Sequence, residues 1–126
     1  MWEPGFSRAE HFIEWRMWKQ IVAAYDIDRW MMVGDPKPER HGKYEAYHTM
    51  ERALVTVTGP RCFLIPAHGT SIDQVMPEPD ATIITGNVTE NLKQFVRPGD
   101  EVLYIPTPKP VDLFAVTILP LVLHER

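Results

Sequence analysis

The sequence predicts an α/β fold: a mostly parallel sheet covered by helices on both faces. Three observations predict it. Four short runs, residues 30–33, 61–65, 81–85 and 101–105, are largely apolar or β-branched instead of alternating, as strands buried on both faces of a parallel sheet are. The stretches between them carry helical spacing, the alternation that builds crossover connections. Each run also ends at Gly or Pro, in Gly34-Asp35, Pro66, Gly86-Asn87 and Pro106, residues that stop a strand and open a loop.

Ser7-Arg8-Ala9-Glu10 has the form of a capping box, in which the hydroxyl and the carboxylate satisfy each other's backbone N–H groups, so a helix is expected over 8–25. Trp15, Trp18, Val22 and Tyr25, with Ile21 beside them, form its buried stripe. The first strand, 30–33, gives way to a loop lasting to about Lys43. Tyr47, Met50, Leu54 and Val57 return to helical spacing and predict a second helix, which Gly59-Pro60 ends. The β-branched Val55-Thr56-Val57 leaves the end of that helix open.

The second strand, 61–65, leads into the loop Ala67-His68-Gly69-Thr70, after which Ser71 caps a short helical turn. Beyond the third strand, Leu92, Phe95 and Val96 mark the buried side of a short helix. Arg97-Pro98-Gly99-Asp100 turns the chain into the fourth strand, and three prolines stiffen the loop 106–110. A last element begins near Asp112. Residues 111–123 are apolar on nearly every side, more than one sheet of a small domain can cover, which predicts packing against a second copy in a homodimer. With no internal repeat, low-complexity tract or linker, 1–126 reads as a single α/β domain.

A chain of 126 residues, 44% hydrophobic and 24% charged, is long enough to bury a sizeable core without a metal or disulfide staple. The lone Cys62 lies in the apolar run Cys62-Phe63-Leu64-Ile65 and reads as inert core in a reducing compartment. Charges at Glu3, Arg8, Glu10 and Glu14 interrupt any signal peptide, and the longest strongly apolar stretch, 113–123, falls short of a bilayer span. A cytoplasmic protein with no membrane partner is expected. The net charge of −4 argues against nonspecific nucleic-acid binding by the whole surface, but it is uneven. Nine basic and nine acidic residues precede or include Arg61, and four basic and eight acidic follow it. A polyanion would therefore meet the first half, around Lys37, Arg40, His41 and Lys43; the plainer reading of that segment is a solvated loop.

In open parallel sheets ligands bind at the carboxyl ends of the strands, where loops present free backbone groups. Here those ends are Gly34-Asp35, Ala67-His68-Gly69-Thr70, Thr85-Gly86-Asn87 and Pro106-Thr107-Pro108-Lys109. Together they suit a flat ligand such as adenine, although any one of them alone reads as a turn. His68 is an acid, base or RNA contact, or an ordinary loop histidine. No Cys or His cluster has metal-ligand spacing, so no metal is expected.

Two of these segments resemble a known family. Thr85-Gly86-Asn87, followed by Glu90-Asn91-Leu92, resembles the second motif of the SpoU branch of the SPOUT RNA methyltransferases. Tyr104-Ile105-Pro106-Thr107, followed by residues 111–117 and an apolar helix, resembles the third, and Arg52, shortly before Gly59-Pro60, sits where the first keeps its arginine. The resemblance covers about residues 44–126. It implies a trefoil knot in the C-terminal part, a homodimer built partly on the last helix, and S-adenosylmethionine held by Thr85, Gly86, Asn87, Ile105, Pro106, Thr107 and Ala115. The implied reaction is methylation of a ribose hydroxyl of tRNA or rRNA, with Arg52 as the catalytic residue and Lys37, Arg40 and Lys43 on the RNA. The residues also depart from the pattern. Ala46 stands where the first motif has asparagine, Val88 where the second is acidic, and Leu113-Phe114-Ala115 where the third has Ser-Leu-Asn. These replacements carry the alternative, a noncatalytic binding or regulatory protein on the same scaffold; a third reading is an unrelated α/β interaction module.

Overall fold

The computed structural model describes residues 1–34, 44–87, 89–109 and 113–125. The chain forms two compact units, Met1–Thr56 and Val57–Arg126.

In the first unit, helix α1 (Arg8–Ala24) starts at the expected capping box: Ser7 N–H donates to Glu10 Oε1 at 3.1 Å and Glu10 N–H to Ser7 Oγ at 3.2 Å. Such a cap is worth about 1 kcal/mol. Trp15, Trp18 and Ile21 are buried as expected, but Val22 and Tyr25 are only half-buried, and the stripe is completed instead by His11 and Glu14. Glu14 is buried because its oxygens are occupied: Oε1 accepts from Glu3 N–H (3.5 Å) and His11 Nδ1 (3.2 Å), and Oε2 from Trp18 Nε1 (3.4 Å). Burial nevertheless pushes the Glu14 carboxyl above its ordinary pKa, against the opposing pull of those donors.

Strand β1 (Met31–Val33) pairs in parallel with β2 (Glu45–Tyr47), Met31 opposite Glu45. The expected helix across Tyr47–Val57 is corrected here: Tyr47 belongs to β2, and only α2 (Met50–Leu54), capped by Thr49, is helical. Thr56 explains the early stop, since its hydroxyl donates to Ala53 O at 2.7 Å and the chain turns. The Arg29 guanidinium then ties strand to turn. It grips Glu45 with two bonds of 2.6 and 2.7 Å and donates to Thr56 O and Oγ1 at 3.2 and 3.0 Å. Tyr47 adds its own bond to Glu45, and together these partners hold the Glu45 carboxyl down at about 2, the Arg29 bonds being the main cause.

The second unit holds a four-stranded, wholly parallel sheet in the order β4-β6-β3-β5, built from β3 (Arg61–Leu64), β4 (Thr70–Ser71), β5 (Thr82–Thr85) and β6 (Glu101–Tyr104). Three of these are expected strands, and β4 adds a two-residue edge. Its Ser71 then caps the turn that follows, accepting from Asp73 N–H at 3.2 Å. The short helix after β5 is a 3₁₀ turn, Leu92–Phe95, and α3 (Ala115–Glu125) begins slightly later than Asp112. Cys62, Leu64 and Leu103 on one face of the sheet pack with Val122 of α3 into a core that Ile83, Ile105 and Ile118 extend. Phe63 and Ile84, alternating onto the opposite face, are buried too, while Val102 and Tyr104 on that face are half-buried. Burial pushes the Cys62 thiol up to about 12 and leaves it unreactive.

One part of the expected strand-end cluster changes. Strand β1 belongs to the two-stranded sheet of the first unit, so the four-stranded sheet gathers three of the four loops and not the one at Gly34-Asp35.

Candidate functional site

Because β3 lies between β6 and β5, its carboxyl end is shared by two parallel pairs, and each pair opens into a cleft. Over β3 and β6 the cleft is about 410 Å³ and mostly apolar, with Leu103, Tyr104, Ile105, Pro106, Thr107 and Pro108 along one wall. Over β3 and β5 it is about 280 Å³ and more polar, taking in His68, Thr85, Gly86, Asn87, Glu90 and Lys93. Leu64, Ile65 and Pro66 of β3 and its exit, with Leu113 and Ile118 near the start of α3, line both clefts. A parallel sheet produces this arrangement of itself, since every strand delivers its exit loop to the same edge.

Local bonds set each wall. Ile65 N–H continues the ladder to Leu103 O at 3.0 Å, one residue past β3. Pro66 stops it there. Asn87 shapes its turn by accepting from the N–H and hydroxyl of Thr89 at 3.0 and 2.9 Å. Asn91 caps the 3₁₀ turn through Lys93 N–H at 3.2 Å. A Cβ on Gly86 would stand 3.2 Å from both Glu90 Cβ and Leu92 Cγ, so glycine is what allows the β5 exit to lie this close to the following turn. The Thr107 hydroxyl donates to Lys109 O at 2.7 Å, folding the proline-rich loop on itself.

Six of the seven residues that the resemblance implies for a cofactor line these clefts as strand exits: Thr85, Gly86 and Asn87 in the polar one, Ile105, Pro106 and Thr107 in the apolar one. The seventh, Ala115, is buried and lines the polar cleft from the first residue of α3. Arg52 lies on α2 in the first unit, exposed, with its backbone N–H donating to the Thr49 hydroxyl at 3.3 Å. Lys37, Arg40 and Lys43 lie outside the described residues. Two features had little local signal. His68 is held by a 2.7 Å bond from Nδ1 to the Pro66 carbonyl, and the loop around it takes two left-handed residues, Ala67 (φ 58°) and Gly69 (φ 80°). The glycine was readable; a left-handed alanine was not.

Among the described residues, no helix is long and apolar enough to cross a membrane. Compared with known proteins, the sequence matches no family model and no curated protein.

Proposed function

We propose that this protein is an S-adenosylmethionine-dependent RNA methyltransferase of the SpoU-like type, acting on a ribose hydroxyl of tRNA or rRNA. The observation that carries the reading is the gathering of Thr85, Gly86, Asn87, Ile105, Pro106, Thr107 and Ala115 around two adjoining clefts at the carboxyl edge of a parallel sheet. The residues fit the cofactor's chemistry. The apolar cleft, of about 410 Å³ and walled by Ile105, Pro106 and Pro108, suits a flat heterocycle, with the backbone of the exit loop to read its edge. The polar cleft offers Thr85, Asn87, Glu90 and Lys93 to a charged amino-acid end. When bound, S-adenosylmethionine supplies a methyl group activated by a sulfonium; the protein orients it and excludes water. Arg52 serves the acceptor by orienting its hydroxyl, and Lys37, Arg40 and Lys43 contact the RNA backbone.

A trefoil knot in the second unit and a homodimer built partly on α3 belong to the same proposal. The partly exposed Phe114 and Leu121, 42% and 46% accessible at the start and in the middle of that apolar segment, favour a second copy there. A second reading, a noncatalytic protein that keeps the pocket, is favoured by Leu113, an apolar side chain lining both clefts where the resemblance expects a polar one.

Calorimetric titration with S-adenosylhomocysteine, the reaction product, tests the pocket. Binding is expected, and Gly86→Val, which fills the β5 exit, is expected to weaken it at least ~10-fold, about 1.4 kcal/mol. No binding at millimolar ligand overturns the methyltransferase reading.

A further inference from the structure

Resting on that methyl-transfer reading, we propose that His68 is the proton acceptor of the site, taking the proton of the acceptor hydroxyl on Nε2. An arginine does not fill this role. A guanidinium remains protonated in proteins and has no acceptor atom, so Arg52 orients a hydroxyl or stabilises an alkoxide without holding the departing proton. A nearby group must hold it. Among the described residues, His68 is the imidazole lining the polar cleft, and Glu90 and Lys93 are the charged side chains that share that cleft with it. An ammonium offers no acceptor atom and a carboxylate is in general the weaker base, whereas an imidazole is matched to the task.

The loop prepares the ring for it. A carbonyl oxygen only accepts, so the 2.7 Å contact to Pro66 O places the hydrogen on His68 Nδ1, and the neutral ring keeps its lone pair on Nε2. The backbone of this exposed loop has its own contacts. His68 N–H donates to Ile65 O at 3.2 Å, and the residue stands between Ala67 and Gly69, both left-handed. At Gly69 a side chain is excluded outright, because a Cβ would overlap the Val102 carbonyl of β6. A left-handed alanine persists only where its surroundings over-determine it, and such residues gather at functional sites. A ring that lines a cleft with one nitrogen bonded to a backbone carbonyl has the arrangement of a general base. In the balanced step, the oxygen–carbon bond forms as the carbon–sulfur bond breaks with its electron pair on sulfur. The hydroxyl proton passes to His68 Nε2, so the positive charge moves from sulfonium to imidazolium.

Nitrogen-15 NMR of the histidine rings in the full chain tests this without any RNA, with His68→Gln assigning the signal. In its neutral form the His68 ring is expected to carry its hydrogen on Nδ1, with its resonances moved by S-adenosylhomocysteine. An Nε2–H ring, or one that bound S-adenosylhomocysteine leaves unmoved, overturns the proposal while the cofactor reading stands. Absence of S-adenosylhomocysteine binding overturns both. With labelled S-adenosylmethionine and unfractionated tRNA and rRNA, His68→Gln is expected to lose ~100-fold or more in transfer while its affinity for S-adenosylhomocysteine stays within about twofold, the scale of lost general-base catalysis. Equal losses in affinity and transfer make His68 a binding contact only and overturn the proposal.

Discussion

The two ends of the four-stranded sheet are built from the same strands and put to opposite uses. At the amino end, where β3 and β6 begin, charges close on one another. Arg61 Nη2 lies 3.1 Å from Asp100 Oδ2 and donates to Phe95 O at 2.8 Å, while Arg97 N–H donates to the same Asp100 oxygen at 2.8 Å. Both side chains of the pair are about nine-tenths buried, at 9% and 10% exposure, and the guanidinium also lies 5.1 Å over the Phe63 ring. At the carboxyl end the exit loops part into two clefts, one lined by His68, Thr85, Asn87, Glu90 and Lys93 and the other by Ile105, Pro106 and Thr107. The amino end fastens the chain as it re-enters the sheet, and the carboxyl end leaves room for a ligand. A polar residue's meaning in this unit therefore depends on which edge it occupies.

The strongest way to break that contrast is to make an exit loop fail structurally. Gly69→Ala meets the Val102 carbonyl and demands a left-handed backbone from a residue with a Cβ, so β4 has to part from β6. A loss of about 3 kcal/mol or more is expected in urea unfolding, in the range of clashes at special backbone positions. If Gly69→Ala proves neutral, the loop is not the rigid support that the cleft and His68 need.

The contrast is sharpened at the other end. Asp100→Ala leaves the Arg61 charge buried without its carboxylate and removes the acceptor of Arg97 N–H. The expected cost is about 3 kcal/mol, that of breaking a buried pair on one side. Asp100→Asn keeps an acceptor oxygen and loses less. On the proposed reading, both folded variants are expected to keep the parent's affinity for S-adenosylhomocysteine; altered affinity at equal folding would show that the two ends are coupled.

What the sequence revealed follows from the same physics. Runs such as Cys62-Phe63-Leu64 announce themselves because a strand buried on both faces has no polar positions to confuse its reading, and Thr82 to Thr85 does so through its β-branched side chains. Their Gly and Pro exits mark the cleft walls for the same local reason. Features made by distant partners are silent. Glu45-Ala46-Tyr47 is a strand because Met31 to Val33 pair with it and Arg29 grips Glu45, and Tyr47 falls into helical register with Met50 by chance of spacing. Arg61 looks like a surface residue until Asp100 comes beside it. Glu14 carried a faint signal, since His11 and Trp18 stand one turn to either side of it, but a count of apolar positions gives a carboxylate no credit.

The smallest expected effect lies in the first unit, where acid separates two carboxylates of opposite character. Glu45 is held down to about 2 by Arg29, so its folded value lies below its unfolded one near 4.5. Its contribution is present above pH 4.5 and is lost as pH falls toward 2. The pair is exposed, 41% and 43%, so solvent screening keeps the effect small. Glu14 has the other sign: its folded value is raised by burial, so its contribution is present below the unfolded value of 4.5 and is lost as pH rises through the folded one. Glu45→Gln should therefore flatten the fall of Tm between pH 4.5 and 2, and Glu14→Gln the decline above pH 4.5. If both variants retain the parent's pH dependence, these contacts of the first unit carry no stability, and the contrast between fastened charge and open cleft is confined to the sheet of the second unit.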